Sequence, residues 1–167
     1  MRTTGLAVGD ACTLPVHGAI VDGTLTVRRT KTGVGVMMPV APQVMTALAA
    51  FPPTSARYYF WSGKGMRRSI SGLWQDRLKT IFRKAGISDG HSHRFRDTFA
   101  VELLQAGTSM EDVSMLLGHH SIKTTERYYM PWCPRRRERL QRVVQAAWSK
   151  DPLLQEMEAG RWGTVPR

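Results

Sequence analysis

At 167 residues, 42% of them hydrophobic, the chain is long enough for one domain with its own core, which excludes a disordered or collagen-like protein. Its 24 Lys and Arg against 13 Asp and Glu give a net charge of +11, predicting a polyanionic partner, most often nucleic acid. Two distant cysteines, Cys12 and Cys133, argue against a disulfide framework, and neither a bilayer-length apolar run nor a signal peptide is recognisable, so a cytoplasmic protein with no membrane partner is expected.

Residues 5–14 read as a short helix with Leu6, Val8, Ala11 and Leu14 on its apolar side. Over "GTLTVRRTKTGVGVMMPV" the period changes to two. Leu25 and Val27 alternate with threonines, Val34 and Val36 alternate with glycines, and Thr32 and Gly33 supply turn chemistry, which predicts a β-hairpin closed by Pro39 and Pro42. "QVMTALAAF" predicts a helix stopped by Pro52 and Pro53. "RYYFW" is strand-like, and a basic glycine-containing loop follows it with Lys64, Arg67 and Arg68. Ser69 is the expected cap of the next helix, where Leu73, Trp74, Leu78, Ile81 and Phe82 recur at helical spacing as core residues and Gly86 is the stop.

The stretch "HSHRFRDTFA", residues 91–100, opens another helix. Phe95, Phe99 and Leu103 fall four apart on a stripe expected to face the core, while His93 and Arg96 lie close together on a different side. Ser109 is placed to cap a helix reaching Leu117, with Glu111 and Asp112 in the first turn, where the helix dipole favours them. "PRRRERLQRVVQAAW" predicts a very basic amphipathic helix with Leu140, Val143, Val144 and Ala147 as its apolar face.

The histidines of "HSH" and "HH" lack an HExxH pattern or a cysteine partner at zinc spacing, so no metal is expected, and GxxxxGK[ST] is absent. Arginine presents a fork of donors matching two phosphate oxygens, and histidine can move a proton near neutral pH. Lys31 on the hairpin turn can reach a shared cleft, and tyrosine supplies an oxygen nucleophile. Converging on one phosphate, these groups would permit phosphoryl transfer without metal, through positioning and charge stabilisation.

"HRFRDTFAVELLQAGTSMEDVSMLLGHHSIKTTERYYMPW" resembles the signature region of the tyrosine recombinase, or phage integrase, family. The His-x-x-Arg box, the Leu-Gly-His box and the terminal tyrosine come in the family's order and spacing. "TTGLAVGDACTL" resembles the family's first box and "RRTKTGVGVMMPV" its lysine hairpin. The resemblance implies an α+β fold, a mostly helical catalytic domain over residues 1–150 with a small antiparallel sheet near the N-terminus, followed by a tail over 151–167. It implies cleavage and rejoining of double-stranded DNA through a 3′-phosphotyrosyl link, with no cofactor, in the nucleoid-containing cytoplasm. In that chemistry Lys31 would protonate the leaving 5′-oxygen, Arg96 would bind the non-bridging oxygens, His93 would assist proton transfer and His119 would hydrogen-bond the phosphate.

Two positions admit two readings. The His-x-x-Arg box is His91 with Arg94 or His93 with Arg96; the second aligns Thr98, Phe99 and Ala100 with the family's "TFA" and leaves Arg94 as a phosphate contact or a surface charge. The nucleophile is Tyr129 or, alternatively, Tyr128; the local pattern "TTExxYxPW" favours Tyr129. Arg28, Arg29, Lys64, Arg67, Arg68, Arg94 and Lys123 are the expected DNA contacts.

Two departures weigh against full activity. Gly5-Leu6-Ala7 stands where the family reads Gly-Leu-Arg, so the second phosphate clamp is missing. Losing such a donor costs about 2.7–4 kcal/mol, roughly 10²–10³ in rate, unless Arg28 or Arg29 reaches in. Arg2, five residues from Ala7, cannot substitute if the helix holds. The family also carries a helical core-binding domain ahead of the catalytic one, which this sequence lacks, so weaker and strongly salt-dependent DNA binding is expected. A recombinase and a cleavage-deficient remnant that only binds DNA both stay open. The 134–148 helix is expected either to dock on a neighbouring subunit, giving a homo-oligomer on DNA, or to fold back on its own core.

Overall fold

The computed structural model describes residues 1–132 and 134–160; Cys133 and residues 161–167, the end of the expected tail, lie outside the described residues. The elements in chain order are α1 (Val8–Cys12), β1 (Ile20–Val21), β2 (Thr24–Arg28), β3 (Gly35–Pro39), α2 (Pro42–Ala50), α3 (Arg67–Lys84), α4 (His93–Gln105), α5 (Met110–Leu117), α6 (Ile122–Tyr129), α7 (Pro134–Trp148) and α8 (Pro152–Glu158). The fold is α+β and mostly helical, with one small antiparallel sheet of order β1-β2-β3 near the N-terminus. Among the described residues no helix is long and apolar enough to cross a membrane.

The hairpin forms where period two predicts it: Leu25 faces Met38 and Val27 faces Val36 across β2 and β3. Leu25, Val36, Met38 and Val40 bury one face of the sheet against Leu6 and Leu14, which flank α1. A second core holds Ala100 and Leu104 of α4, Met110, Val113 and Leu117 of α5, and Tyr129 of α6. The two cores meet where β3 packs on α5. Thr32 Oγ1, in the hairpin turn, donates to the Gly118 carbonyl at the end of α5 across 3.0 Å.

Several local expectations need correction. The first helix covers only 8–12, because Gly5 at φ +59° turns the chain ahead of it. "RYYFW" forms no strand, only a bridge between Pro15 and Tyr58. Its backbone folds back on Thr54 and Ser55, and the rings of Tyr58 and Trp61 stack 4.8 Å apart. Ser69 lies inside the first turn of α3, whose cap position is Met66. The α3 face is not core either: Leu73 is 46% and Ile81 60% exposed, and Trp74, Leu78 and Phe82 are half-buried. That helix touches the body along one edge, through α1, Phe60 and Phe95. In α4 the fully buried stripe is Arg96, Ala100 and Leu104, while Phe95, Phe99 and Leu103 are half-buried. Ser109 caps α5 as expected, accepting from the Asp112 N–H. The apolar residues Leu140, Val143 and Val144 of α7 are exposed.

Candidate active site

A cavity of about 880 Å³ opens at the seam between the two cores. Lys31, His93, Arg96, His119, Tyr128 and Tyr129 all line it, together with Ala7 and Arg29. The five groups singled out from sequence thus converge, although they come from the hairpin turn, α4, the α5–α6 junction and α6.

Arg96 is 4% exposed, at the N-terminal end of the buried stripe of α4. Its Nη1 donates to the Gly5 carbonyl at 2.6 Å and its Nη2 to the Leu117 carbonyl at 2.7 Å, so one guanidinium fastens the first box to the end of α5. Neither carbonyl neutralises its charge. Burial, with the nearby Arg29 charge, lowers the Arg96 pKa to about 10, which leaves it cationic at neutral pH.

His119 follows Gly118, which ends α5 in the left-handed region at φ +65°. The ring Nδ1 lies 2.8 Å from Oγ1 of the fully buried Thr125, which fixes the ring's orientation. Burial, then the charges of Arg96, Arg29 and His93, lower the His119 pKa to about 4. The ring is therefore neutral at pH 7 and offers one N–H and one lone pair.

The tyrosines differ sharply. Tyr129 is 4% exposed and Tyr128 61%. The Tyr129 hydroxyl donates to Asp97 Oδ1 at 2.7 Å, and His93 Nε2 stands 3.5 Å from the same oxygen. Burial first, then the hydrogen bond to Asp97 and its charge, hold the Tyr129 phenol well above its ordinary pKa, so its proton stays on.

Arg29 is not on the outer surface: it is 6% exposed, with Nε 3.1 Å from Asp10 Oδ2. Arg28, its neighbour, is exposed and donates to the Gly33 carbonyl of its own turn. Lys64, Arg67, Arg68 and Lys123 are exposed, and Arg67 Nη1 lies 3.5 Å from Thr30 Oγ1. Arg94 is exposed and paired with Asp89, whereas Arg96 lines the cavity; His91 and His93 both line it, so the arginine is what distinguishes the two readings of the box. Arg2 pairs with Glu102 on the outside. Among the described residues no group of three or more His, Cys, Asp or Glu stands together as a metal site.

The sequence reading missed the residues that hold the others in place, Asp10 for Arg29, Asp97 for Tyr129 and Thr125 for His119, and it read Thr32 as a turn residue without its bond to Gly118. Only Asp97 carried a signal, being four residues from His93 on the same helix face.

Comparison with known proteins gives the family and the fold. The profile of the phage integrase family matches residues 1–131. Tyrosine recombinase XerD of Mycobacterium tuberculosis is 31% identical over 139 residues, covering 77% of this chain and 44% of the relative. Tyrosine recombinase XerA of Pyrococcus furiosus is 30% identical over 132 residues, covering 75% and 46%. The chain thus spans less than half the length of these curated relatives. Among solved structures, a XerA recombinase superposes with a TM-score of 0.62 at 24% identity, covering 76% of this chain and 49% of that one. The catalytic domain of bacteriophage HP1 integrase gives 0.58 at 21%, covering 91% and 78%. At such identities the superpositions speak for the fold.

Proposed function

Because this chain belongs to the phage integrase family, we propose that its cavity receives one phosphodiester of double-stranded DNA and exchanges it onto a tyrosine. The carrying observation is the convergence of Lys31, His93, Arg96, His119 and Tyr129 in the lining of one cavity. A lambda integrase dimer bound to a core site and a XerH recombinase bound to its difH substrate share the fold, which supports duplex DNA as partner.

Tyr129 Oη attacks the phosphorus and the bond to the 5′-oxygen breaks, leaving a 3′-phosphotyrosyl link and a free 5′-hydroxyl. The phenol proton leaves to His93, whose Nε2 stands 3.5 Å from the Asp97 oxygen that the hydroxyl meets, and Lys31 supplies the proton that the departing 5′-oxygen takes up. Arg96 and the neutral His119 donate to the non-bridging oxygens, where charge builds in the transition state. A 5′-hydroxyl attacking the phosphotyrosine reverses every step, so bond energy is conserved and no nucleotide or metal is required. Exposed Lys64, Arg67, Arg68 and Lys123 would hold the flanking backbone and make binding salt-dependent. We assign the catalytic domain to residues 1–150 and a tail to 151–167, acting at the nucleoid in the cytoplasm. The exposed apolar residues of α7 suit a second copy on DNA.

Ala7 on the cavity wall favours one second reading, a DNA binder that no longer cleaves. A duplex nicked beside the scissile phosphate separates the two. A covalent protein–DNA adduct, lost in Tyr129→Phe and kept in Tyr128→Phe, is the expected result. Duplex binding with no adduct would select the second reading, and failure of both would end the DNA assignment.

A further inference from the structure

We propose that Arg29 is a second phosphate-gripping guanidinium of this cavity, carried in from the end of β2 to the turn of α1 where Ala7 contributes no side chain. Asp10, which pairs with Arg29 Nε at 3.1 Å, is three residues beyond Ala7. Positions three apart share one helix face, so the guanidinium is held against the turn that Ala7 begins. The other Asp10 oxygen accepts the Thr30 N–H at 2.9 Å, fixing the carboxylate from both sides.

The remaining guanidinium chemistry points to a ligand. Among the described residues Arg29 Nη1 is buried with no hydrogen-bond partner, a rare state for a charged donor. An ion pair that merely braced α1 to the hairpin would account for Nε and leave Nη1 idle. Two buried guanidiniums, Arg29 and Arg96, line the cavity beside a neutral His119. Asp10 answers one of them; Arg96 donates to carbonyls, and Asp97 is occupied by Tyr129 and His93. Asp10 and Asp97 offset at most these two guanidiniums, and Lys31 and Lys79 line the same cavity, so its wall carries a net positive charge that a tetrahedral oxyanion would neutralise. Room for the Arg29 stem is made by Gly118: a Cβ there would lie 2.6 Å from Arg29 Cγ and 3.2 Å from Cδ. The residue that leads into His119 is thus bare where Arg29 passes.

This inference rests on the phosphodiester reading, and two readouts on the full chain keep their failures apart. One is the rate of adduct formation with the nicked duplex. The other is calorimetric binding of tungstate, a tetrahedral oxyanion that needs no strand cleavage. Arg29→Gln is expected to slow the adduct by roughly 10²–10³ and to weaken tungstate at least about tenfold, since a charge-assisted donor is lost. Ala7→Arg combined with Arg29→Gln is expected to recover the rate, because a guanidinium returns to the same turn. Ala7→Arg alone is expected to give no gain over the wild-type chain. Arg29→Lys keeps a cation beside Asp10 but removes the fork, so it reports the same loss if thermal melting shows that Arg29→Gln fails to fold. Folded Arg29→Gln or Arg29→Lys with wild-type rate and tungstate affinity would overturn the proposal, as would a wild-type chain that binds no tungstate. If the wild-type chain binds tungstate but forms no adduct, strand exchange fails as the function. Tungstate loss in Arg29→Gln then supports Arg29, and unchanged affinity overturns it.

Discussion

Asp97→Asn is the substitution that most directly tests Tyr129 as the proposed nucleophile. The Tyr129 hydroxyl donates to Asp97 Oδ1 at 2.7 Å, and that carboxylate, after burial, is what holds the phenol protonated. A hydrogen bond to a charged group is worth about 1.5–3 kcal/mol net. At about 1.36 kcal/mol per pKa unit, removing the charge should bring the phenol down by roughly 1–2 units. More phenolate at a given pH, offset in part by its lower basicity, gives an adduct rate about tenfold higher. Asn keeps the shape, and Asp97 is partly exposed, so the fold should tolerate the change. The shift is read from phenolate absorbance in a pH titration, with Tyr129→Phe subtracting the other three of the four tyrosines. The adduct rate on the nicked duplex is read alongside. The opposite assignment makes Asp97 the general base. Reference values near 4 for a carboxylate and 10 for a phenol put full proton transfer uphill by about 8 kcal/mol, so only transfer within the transition state could serve. A rate falling by roughly 10²–10⁴ with an unmoved phenol titration would establish that role and refute a restraining Asp97.

Three further outcomes follow from the same contacts. His119 has a folded pKa of about 4 against an ordinary 6.5, so the unfolded chain takes up the proton first. Stability from this group is whole above about 6.5 and is lost as pH falls toward about 4, by at most about 3 kcal/mol; urea melts should show a shallower acid slope in His119→Gln. Thr125→Val removes the oxygen that orients His119, leaves a buried ring nitrogen unmatched, and should cost about 1–3 kcal/mol in denaturant melts together with a slower adduct rate. Gly118→Ala places a Cβ 2.8 Å from Val36 Cγ2 and 2.6 Å from Arg29 Cγ at φ +65°, so thermal melting should show a loss of at least about 1–3 kcal/mol.

The parts of the fold that could be read beforehand are those whose cause is local. Period two over 24–39 gave the hairpin, and Gly33 takes the positive φ its turn requires. Ser109 capped the helix it precedes. Where the reading failed, the deciding interaction was distant. Apolar spacing in α3 identified a face but not whether anything covers it, and Leu73 and Ile81 are left exposed. Two phenylalanines outweighed an arginine in α4, yet Arg96 lies deeper because two carbonyls, from Gly5 and Leu117, receive its N–H groups. A short apolar run such as "RYYFW" fits a strand or a packed aromatic turn equally well, and no neighbouring strand was there to decide.

The same distinction explains the site. Residues that would meet the phosphate are chemically conspicuous: arginine, lysine, histidine and tyrosine at recognisable spacings. Those that aim them are ordinary Asp and Thr, whose meaning exists only after folding. Thr32 meets Gly118, 86 positions away, and Arg96 meets Gly5, 91 positions away, while Asp10 meets Arg29 within the N-terminal part of the chain. The contacts of Thr32 and Arg96 join the sheet core and the first box to the helical core, and that of Asp10 joins α1 to the end of β2. The cavity is therefore a product of docking the two halves, and its groups reach their positions only when both are folded. That arrangement gives Arg29 and Arg96 a double character. Arg96 fastens one half to the other through two carbonyls, Arg29 fastens α1 to the hairpin through a carboxylate, and both line the cavity so formed. Substitutions at either should move stability and phosphate affinity together, whereas changes at exposed Lys31 should move rate alone.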